Sequence, residues 1–501
     1  VPAARQPQRR RSNRPGNSQA EGPISRLHSE EPRRIRPPAV PKEQAARCYR
    51  ARRISQVEDR GGVRFAHGVH RAAIPLDVLE DLLMRSIAVI GGGITGVTTA
   101  YALAKRGFSV TLFERHRYAA METSFANGGQ LSASNAEVWT HWSTLIKGMK
   151  WMLRNDAPLL VSPSPTWHKL SWFAEFIASI PHYRRNTVET TRLAIAARQH
   201  LFAWANAEGI DFDLKRRGIL HIYRDKAGFD HAGRVSALLA EGGLERHAVT
   251  PAEMRAIEPT LAGRYYGGYY TESDATGDIH KFTSGLAAAL PRLGVKTLYN
   301  QDVKSVSTNG RSVTITANED GQRSTQEFDG IVVCAGVASR HFASQLGDRV
   351  NIYPVKGYSI TVNLLDEESQ ASAPTVSLLD DETKLVTSRL GIDRFRVAGT
   401  AEFNGIDRDI RADRIRPLVD WVRQCFPGVS TRSVVPWAGL RPMMPNMMPR
   451  VGRGHAANVF YNTGHGHLGW TLSAVTADMI AAIVRQSVES SSAMEGALVT
   501  K

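Results

Sequence analysis

The run Ser86-Ile87-Ala88-Val89-Ile90-Gly91-Gly92-Gly93-Ile94-Thr95-Gly96 constrains this chain more than any other, because an apolar strand passes there through a glycine turn into an apolar helix. Gly91 permits the tight turn, Gly93 lets the backbone approach a pyrophosphate, and Gly96 lets the helix pack against the strand. The first N–H groups of such a helix have no partner within it, and its dipole favours an anion at that end. Together with Ile94 and Thr95 these glycines form a candidate dinucleotide cradle. The helix continues to Arg106 and stops at Gly107, and a second strand over 109–113 ends on the acid Glu114. Glu114 lies 18 residues beyond Gly96, near the roughly 20 at which an acid reaches an adenosine ribose. The alternative is an ordinary strand-turn-helix whose glycines serve packing.

The chain has 501 residues, 42% of them hydrophobic, enough for a large core in two intermixed domains. Its net charge of +15 suggests nucleic acid only until it is divided. Residues 1–85 carry 18 Lys and Arg against 9 Asp and Glu, which is +9; the other 416 residues carry 45 against 39, which is +6. No nucleic-acid partner is therefore expected. Cys48, Cys334 and Cys425 build neither a disulfide framework nor a metal site, and the 16 histidines form no metal-binding spacing. A cytoplasmic setting fits these cysteines, and Cys334 is expected to be an inert buried thiol. No unbroken apolar run approaches the roughly 20 residues that span a bilayer, so any membrane contact is expected to be peripheral. Residues 1–83, rich in Arg, Pro, Gly and Ser, cannot offset their ordering entropy by burial. They read as a basic arm, a targeting peptide or, the reading favoured here, an extension ahead of a natural start at Met84. Residues 491–501 read as a tail.

Beyond Glu114, the segment Glu122-Thr123-Ser124-Phe125-Ala126-Asn127-Gly128-Gly129-Gln130 is small and polar. It is either a loop or a set of closely spaced amides and Asn and Gln side chains able to hold phosphates and the polar edge of a ring. Residues 139–217 read as mostly helical, with Trp142, Leu145, Met149, Trp151, Met152, Leu170, Trp172, Phe173 and Phe176 at core-like spacings. Strands follow at 219–223, 265–270, 295–299, 303–306 and 312–316, with a helix over 281–293. Gly330-Ile331-Val332-Val333-Cys334-Ala335-Gly336 is a fully apolar strand of the kind buried on both faces in a parallel sheet. Its end at Ala335 and Gly336 lets the backbone come close to a nucleotide. A separate strand-rich region spans 353–400, and a glycine-rich turn at 464–469 feeds a helix over 468–486.

Taken in order, the glycine turn, Thr123-Ser124-Phe125-Ala126-Asn127, Tyr353-Pro354-Val355-Lys356-Gly357-Tyr358, Gly439-Leu440-Arg441-Pro442 and Asn462-Thr463-Gly464-His465-Gly466 resemble a known family. Over about 400 residues the chain is similar to the small subunits of bacterial D-amino-acid dehydrogenases, within the D-amino-acid oxidase-like flavoproteins. The resemblance implies an α/β fold with an α+β substrate part. A Rossmann-like FAD-binding domain (84–135, 275–345 and 436–490) is interleaved with a mixed-sheet substrate domain (136–274 and 346–435). It implies FAD held by Gly91, Gly93, Ile94, Thr95, Gly96, Glu114, Thr123, Ser124, Asn127, Gly128, Gly129, Gln130, Val303, Ala335 and Gly336. At the flavin end it implies Gly464, His465, Gly466, Leu468, Gly469, Trp470 and Thr471. It also implies oxidation of a D-amino acid by hydride transfer to flavin N5, then hydrolysis to a 2-oxo acid and ammonia. Electrons would pass to a respiratory quinone or carrier, with the protein in the bacterial cytoplasm or on the inner face of the membrane. The sequence departs from the family at Gly128 (usually Ala), at Met444-Pro445-Asn446-Met447 (usually Thr-Pro-Asp-Gly) and at His467 (commonly Thr). These differences bear on substrate preference.

Such chemistry needs orientation and electrostatics rather than a protein nucleophile. A carboxylate is best fixed by the paired donors of Arg, and the resemblance makes Arg441 the anchor; a structural ion pair is the alternative. Tyr358 either closes the substrate pocket or is a core aromatic. Met443, Met444, Met447 and Met448 form either an adaptable pocket wall or an exposed loop. Two other readings stand beside the main one: the same fold acting on secondary amines or cyclic imino acids, and a basic-tailed binding protein for RNA or membrane.

Overall fold

The computed structural model describes residues 85–144, 146 and 159–499, the last nine as backbone only. The expected start at Met84 and the positions Leu145, Met149, Trp151 and Met152 lie outside the described residues.

Two large sheets organise the molecule. The first has six strands in the order Arg450–Arg453, Val459–Thr463, Gly330–Val333, Ser86–Ile90, Ser109–Phe113, Lys296–Leu298. All its pairings are parallel except the one between Arg450–Arg453 and Val459–Thr463. Ser86–Ile90 lies in the middle, with Ser109–Phe113 on one side and Gly330–Val333 on the other. The strand order therefore switches at the glycine turn, where a crevice opens beyond the strand ends.

Alternation along Ser86–Ile90 explains its unbroken apolar run. Ile87 and Val89 pack with Val97, Tyr101 and Leu103 of the helix Ile94–Ala104, and with Ile480 and Val484 of the C-terminal helix. Ala88 and Ile90 pack on the other face against Val306, Val313, Ile315 and Phe328 of a three-stranded antiparallel sheet. A strand covered on both faces has no polar side to show.

The second sheet runs Val434–Met443, Tyr353–Asn363, Arg394–Phe403, Leu385–Leu390, Ser377–Asp380, Ile219–Tyr223, Gly267–Thr271, His247–Val249, with Leu159–Val161 added beside Arg394–Phe403. Its Tyr358, Ile360, Val362, Phe395 and Val397 pack with Leu418, Trp421 and Val422 of the helix Ala412–Cys425.

Several details differ from the sequence expectations. Residues 434–443 pair with Tyr353–Asn363 over their whole length, which puts 436–443 in the second sheet rather than with the nucleotide-binding strands. The segment holds Pro436, Gly439 and Pro442 among its apolar residues and shows no clean alternation, so its sheet is decided by tertiary pairing. Residues 491–499 continue the helix Gly469–Val499 instead of forming a separate tail. Trp142 and Leu170 are exposed, not core. A helix at Lys226–Glu241 lies between the expected strands 219–223 and 265–270, in a stretch given no element from sequence. One helical segment, Gly466–Ser490, is long and apolar enough to cross a membrane by length and composition, although small residues break up its apolar run; 67% of its apolar window is buried within the fold. It packs on Ile94–Ala104 and Tyr183–Glu208, close enough for the Thr98 hydroxyl to reach the Ser473 carbonyl at 3.4 Å.

Candidate functional site

The crevice at the strand switch is a cavity of about 410 Å³. Its walls include Gly91, Gly93, Ile94, Thr95, Glu114, Thr123, Ser124, Asn127, Val303, Ala335 and Gly336. Gly464, His465, Gly466, Gly469 and Trp470 close the other side. A second cavity of about 560 Å³ is lined by Gly128, Gly129, Gln130, Leu468 and Thr471. Thr123, Asn127, Arg441, His467 and Trp470 belong to both, so the two spaces meet there. Of all the cofactor residues expected from sequence, Gly96 alone lines neither. A Cβ at Gly96 would overlap the Gly91 carbonyl, so its part is the close packing of helix on turn.

The donors around the first cavity suit a dinucleotide. Gly91, at φ +106°, has no room for a Cβ, which would come within 2.7 Å of the Cys334 carbonyl. Gly93 has no side chain with which to cap the helix and no acid stands in its first turn, leaving the amides beyond Ile94 for an anion. The Ser124 hydroxyl accepts from Ile94 N at 3.0 Å, which ties the loop to that helix end. Glu114 accepts from Gly92 N at 2.6 Å and from His116 N at 2.8 Å, fixing a carboxylate on the cavity wall. Arg115, Lys304 and His341 also line this cavity. Nothing in the sequence singles them out, because isolated polar residues carry no pattern.

The loop that spans both cavities is held by its carbonyls. Ser359 donates to Ala126 O at 2.7 Å, Arg396 to Asn127 O at 3.1 Å and Ser388 to Gly128 O at 2.6 Å. Thr123 donates to Leu440 O at 2.7 Å. Gln130 donates to Ser377 and Leu378 while its buried Oε1 has no hydrogen-bond partner. Thr400 Oγ1, also on the second cavity, is orphaned in the same way. Buried polar atoms without partners are costly, and a ligand with a polar edge in this space would satisfy them.

Arg441 stands where the cavities join. Its Nη1 donates to the Thr400 carbonyl at 2.9 Å, and it forms no ion pair with a carboxylate among the described residues, so the structural ion-pair alternative does not apply. Burial pushes the guanidinium down to about 10, which leaves it charged at neutral pH. Two backbone devices place it. Tyr353–Asn363 and Arg394–Phe403 lose register between the pairs Lys356 with Glu402 and Tyr358 with Gly399, a bulge that contains Thr400 at φ +56°. Gly357 leaves the volume that the guanidinium fills, since a Cβ there would overlap it.

His467 stacks on Trp139 with ring centroids 4.8 Å apart, and its Nε2 lies 3.4 Å from the Asn135 carbonyl. Burial, aided by the Arg441 charge, lowers it to about 4, so it is neutral. His465 is lowered to about 3 by burial and bonds the Thr476 hydroxyl at 2.9 Å.

Three sequence alternatives resolve differently. The Tyr358 hydroxyl is 3.1 Å from Glu402, inside a buried group with Lys356, and its ring belongs to the core beneath the sheet. Tyr358 also lines the second cavity, so it is at once a core aromatic and part of that cavity's wall. Met443 and Met447 are buried against Trp172 and Phe176, and none of the four methionines lines either cavity. Met443 and Met444 instead fill the space beside Gly466 and Gly464. Cys334 is buried with its thiol pushed up to about 12 by burial, consistent with an inert side chain. No cluster of three metal-ligating side chains occurs among the described residues.

A nucleotide crevice at a strand switch, continued into a second chamber under a mixed sheet, defines a flavin-dependent oxidoreductase. Residues 86–483 match the family model of FAD-dependent oxidoreductases, and the chain belongs to that family. It is 64% identical over 401 residues to D-amino acid dehydrogenase 3 of Mesorhizobium japonicum, covering 80% of this chain and 97% of that one. It is 42% identical to a D-amino acid dehydrogenase of Paramagnetospirillum magneticum, covering 79% and 94%. Among solved structures, glycine oxidase from Geobacillus kaustophilus superposes with a TM-score of 0.61 at 19% identity, covering 80% of this chain and 95% of that one. L-proline dehydrogenase from P. horikoshii gives 0.63 at 16%, covering 80% and 94%. At these identities the solved structures show the fold alone.

Proposed function

We propose that this chain is an FAD-dependent D-amino-acid dehydrogenase, which converts D-amino acids to 2-oxo acids and ammonia. The observation that carries the reading is the uncompensated charge of Arg441 at the junction of the two cavities. The flavin, when bound, supplies the two-electron acceptor. The cofactor-binding roles expected from sequence are retained in this reading for the residues that line the two cavities, with Gly96 acting through packing. The nucleotide-binding strands and the second sheet then act as FAD-binding and substrate domains, the strand 434–443 belonging to the latter.

The protein's own part is to bind and orient. Arg441 offers its free guanidinium N–H groups to the substrate carboxylate while Thr400 holds the rest of the fork. Neutral His467 and Trp139 form a wall that adds no positive charge beside the substrate amine. The uncharged amine is the form whose nitrogen lone pair assists loss of the α-hydrogen. Gly469 and Trp470 at the start of Gly469–Val499 line the first cavity, and the positive end of that helix would stabilise negative charge developing there. The imino acid that leaves is hydrolysed by water.

The electrons pass to a respiratory quinone or carrier. Trp167, Leu170 and Ile177 lie exposed along the helix Trp167–Ala178, whose Trp172, Phe173 and Phe176 line the second cavity. That face suits a peripheral membrane contact at the cavity mouth.

Anaerobic mixing of the yellow holoenzyme with D-amino acids, sarcosine and proline tests the assignment. D-amino acids should bleach the flavin and release one 2-oxo acid and one ammonia per flavin reduced. Bleaching by secondary or cyclic amines alone would overturn it in favour of that substrate class.

A further inference from the structure

The second cavity has two unlike ends. Near the loop 128–132 and Thr471 it is polar, whereas its far wall is made of Leu159, Val161, Trp172, Phe173, Phe176 and Phe403. Among these six side chains the one polar atom is already engaged. Trp172 Nε1 donates to Met443 O at 2.9 Å, and the ring of Trp172 sits 5.3 Å from Phe173 and 5.2 Å from Phe403. Other charged groups on the cavity are also held: Lys384 pairs with Asp381 at 2.7 Å, and Glu137 accepts from the Tyr183 hydroxyl at 2.6 Å. Among the described residues that line this cavity, Arg441 is the charged group left for a ligand.

The apolar end begins close to that arginine. Thr400, whose carbonyl holds Arg441, is three residues from Phe403 on one strand, about 10 Å at the rise of a β-strand. Val355, directly across from Arg441 in the sheet, belongs to the same apolar cluster as Trp172, Phe176 and Phe403. An amino acid gripped by its carboxylate at Arg441 thus has its side chain within reach of an aromatic wall whose Leu159, Val161, Trp172, Phe173, Phe176 and Phe403 offer no free hydrogen-bonding side-chain atom.

We infer that this chamber receives the substrate side chain and selects D-amino acids with large apolar side chains, aromatic or branched, over D-alanine and over D-glutamate. The inference rests on the D-amino-acid reading of the same site. A large apolar side chain is removed from water there and meets ring faces and edges. A methyl group leaves most of the chamber unfilled. A second carboxylate would be buried without a partner.

The test is the second-order rate constant for anaerobic flavin reduction in the holoenzyme with D-phenylalanine, D-leucine, D-alanine and D-glutamate. D-phenylalanine and D-leucine should exceed D-alanine at least about tenfold, and D-glutamate should be slower still. Phe173, half-buried on a surface helix, provides the variant. In Phe173→Ala the ratio of D-phenylalanine to D-alanine should fall about tenfold, and Phe173→Leu should restore much of it. A wild-type enzyme that prefers D-alanine or D-glutamate, while still reducing with D-amino acids, overturns the chamber assignment and leaves the D-amino-acid reading standing. An unchanged ratio in Phe173→Ala, with its melting temperature retained, overturns it equally. Reduction by sarcosine and by no D-amino acid overturns the D-amino-acid reading, and the chamber assignment falls with it.

Discussion

At Arg441 burial and charge oppose each other: the guanidinium is held away from water, yet among the described residues the fold gives it a carbonyl and no carboxylate. Such a group is stabilised by a ligand that brings the missing anion. Replacing it by Lys keeps the charge but loses the paired donors. We expect kcat/KM for D-amino acids to fall about tenfold to a hundredfold in Arg441→Lys, or about 1.4 to 2.7 kcal/mol of transition-state stabilisation. His467 makes a different prediction. With its imidazole lowered to about 4, it stays neutral from pH 6 to 9, so the pH profile of flavin reduction should contain no ionisation near 6 to 7 that disappears in His467→Asn. Finding one would show a protonated His467 in the working enzyme. Arg441 was legible in the sequence because it sits in a recognisable Gly-Leu-Arg-Pro run. Thr400 was not, since a positive φ at a threonine follows from strand pairing and leaves no trace in local composition.

At the scale of elements, two glycines carry predictions. Gly357 leaves the volume that the Arg441 guanidinium fills. Gly357→Ala should therefore fold, with a melting temperature near wild type, and lose most activity because the guanidinium is displaced. Gly96→Ala should act on the cofactor instead. Its Cβ would push the helix Ile94–Ala104 off the glycine turn, and the purified variant should carry little flavin when its visible absorbance is compared with its protein content. The glycine turn and its strands were readable from sequence because each apolar run had one burial requirement. Two strands on either side of Ser86–Ile90 come from residues more than 200 positions apart in the chain, yet each was recognisable by itself. The strand 434–443 was harder, since only pairing with Tyr353–Asn363 decides its sheet. The Met443 to Met448 segment gave two readings, and neither holds because the glycines at 464 and 466 draw its first two methionines inward.

For the whole molecule, cofactor and acid act on stability in opposite directions. A ligand that binds only the folded state stabilises by about 2.7 kcal/mol at a concentration of 100 times its Kd. Removing FAD should accordingly lower the melting temperature, and adding it back should restore it. Burial pushes the carboxyls of Glu122 and Asp407 up, but His116 and Arg408 at the first, and Lys356 at the second, outweigh it and leave both below their ordinary values. Stability from such groups is present above the ordinary carboxylate range of about 4 and is lost as the pH falls through the depressed values. Asp274, which burial raises, works the other way, so the comparison to make is between proteins. Asp407→Asn should flatten the fall of melting temperature below about pH 4 relative to wild type. Fold class and nucleotide face could be read from sequence because they follow from local patterns. The substrate chamber could not, because Leu159, Trp172 and Phe403 meet only when three distant segments pack together.

We propose that this enzyme, which binds FAD, grips its D-amino-acid substrate through the carboxylate at Arg441. A single set of anaerobic flavin-reduction rates tests it, with wild type and Arg441→Lys each mixed with a D-amino acid and with the corresponding D-amino-acid amide. The amide keeps the side chain and amine and removes the negative charge. Arg441→Lys should slow reduction by the acid at least about tenfold and change reduction by the amide much less. An equal loss for acid and amide, or no reduction of a bound flavin by any D-amino acid, would contradict the account.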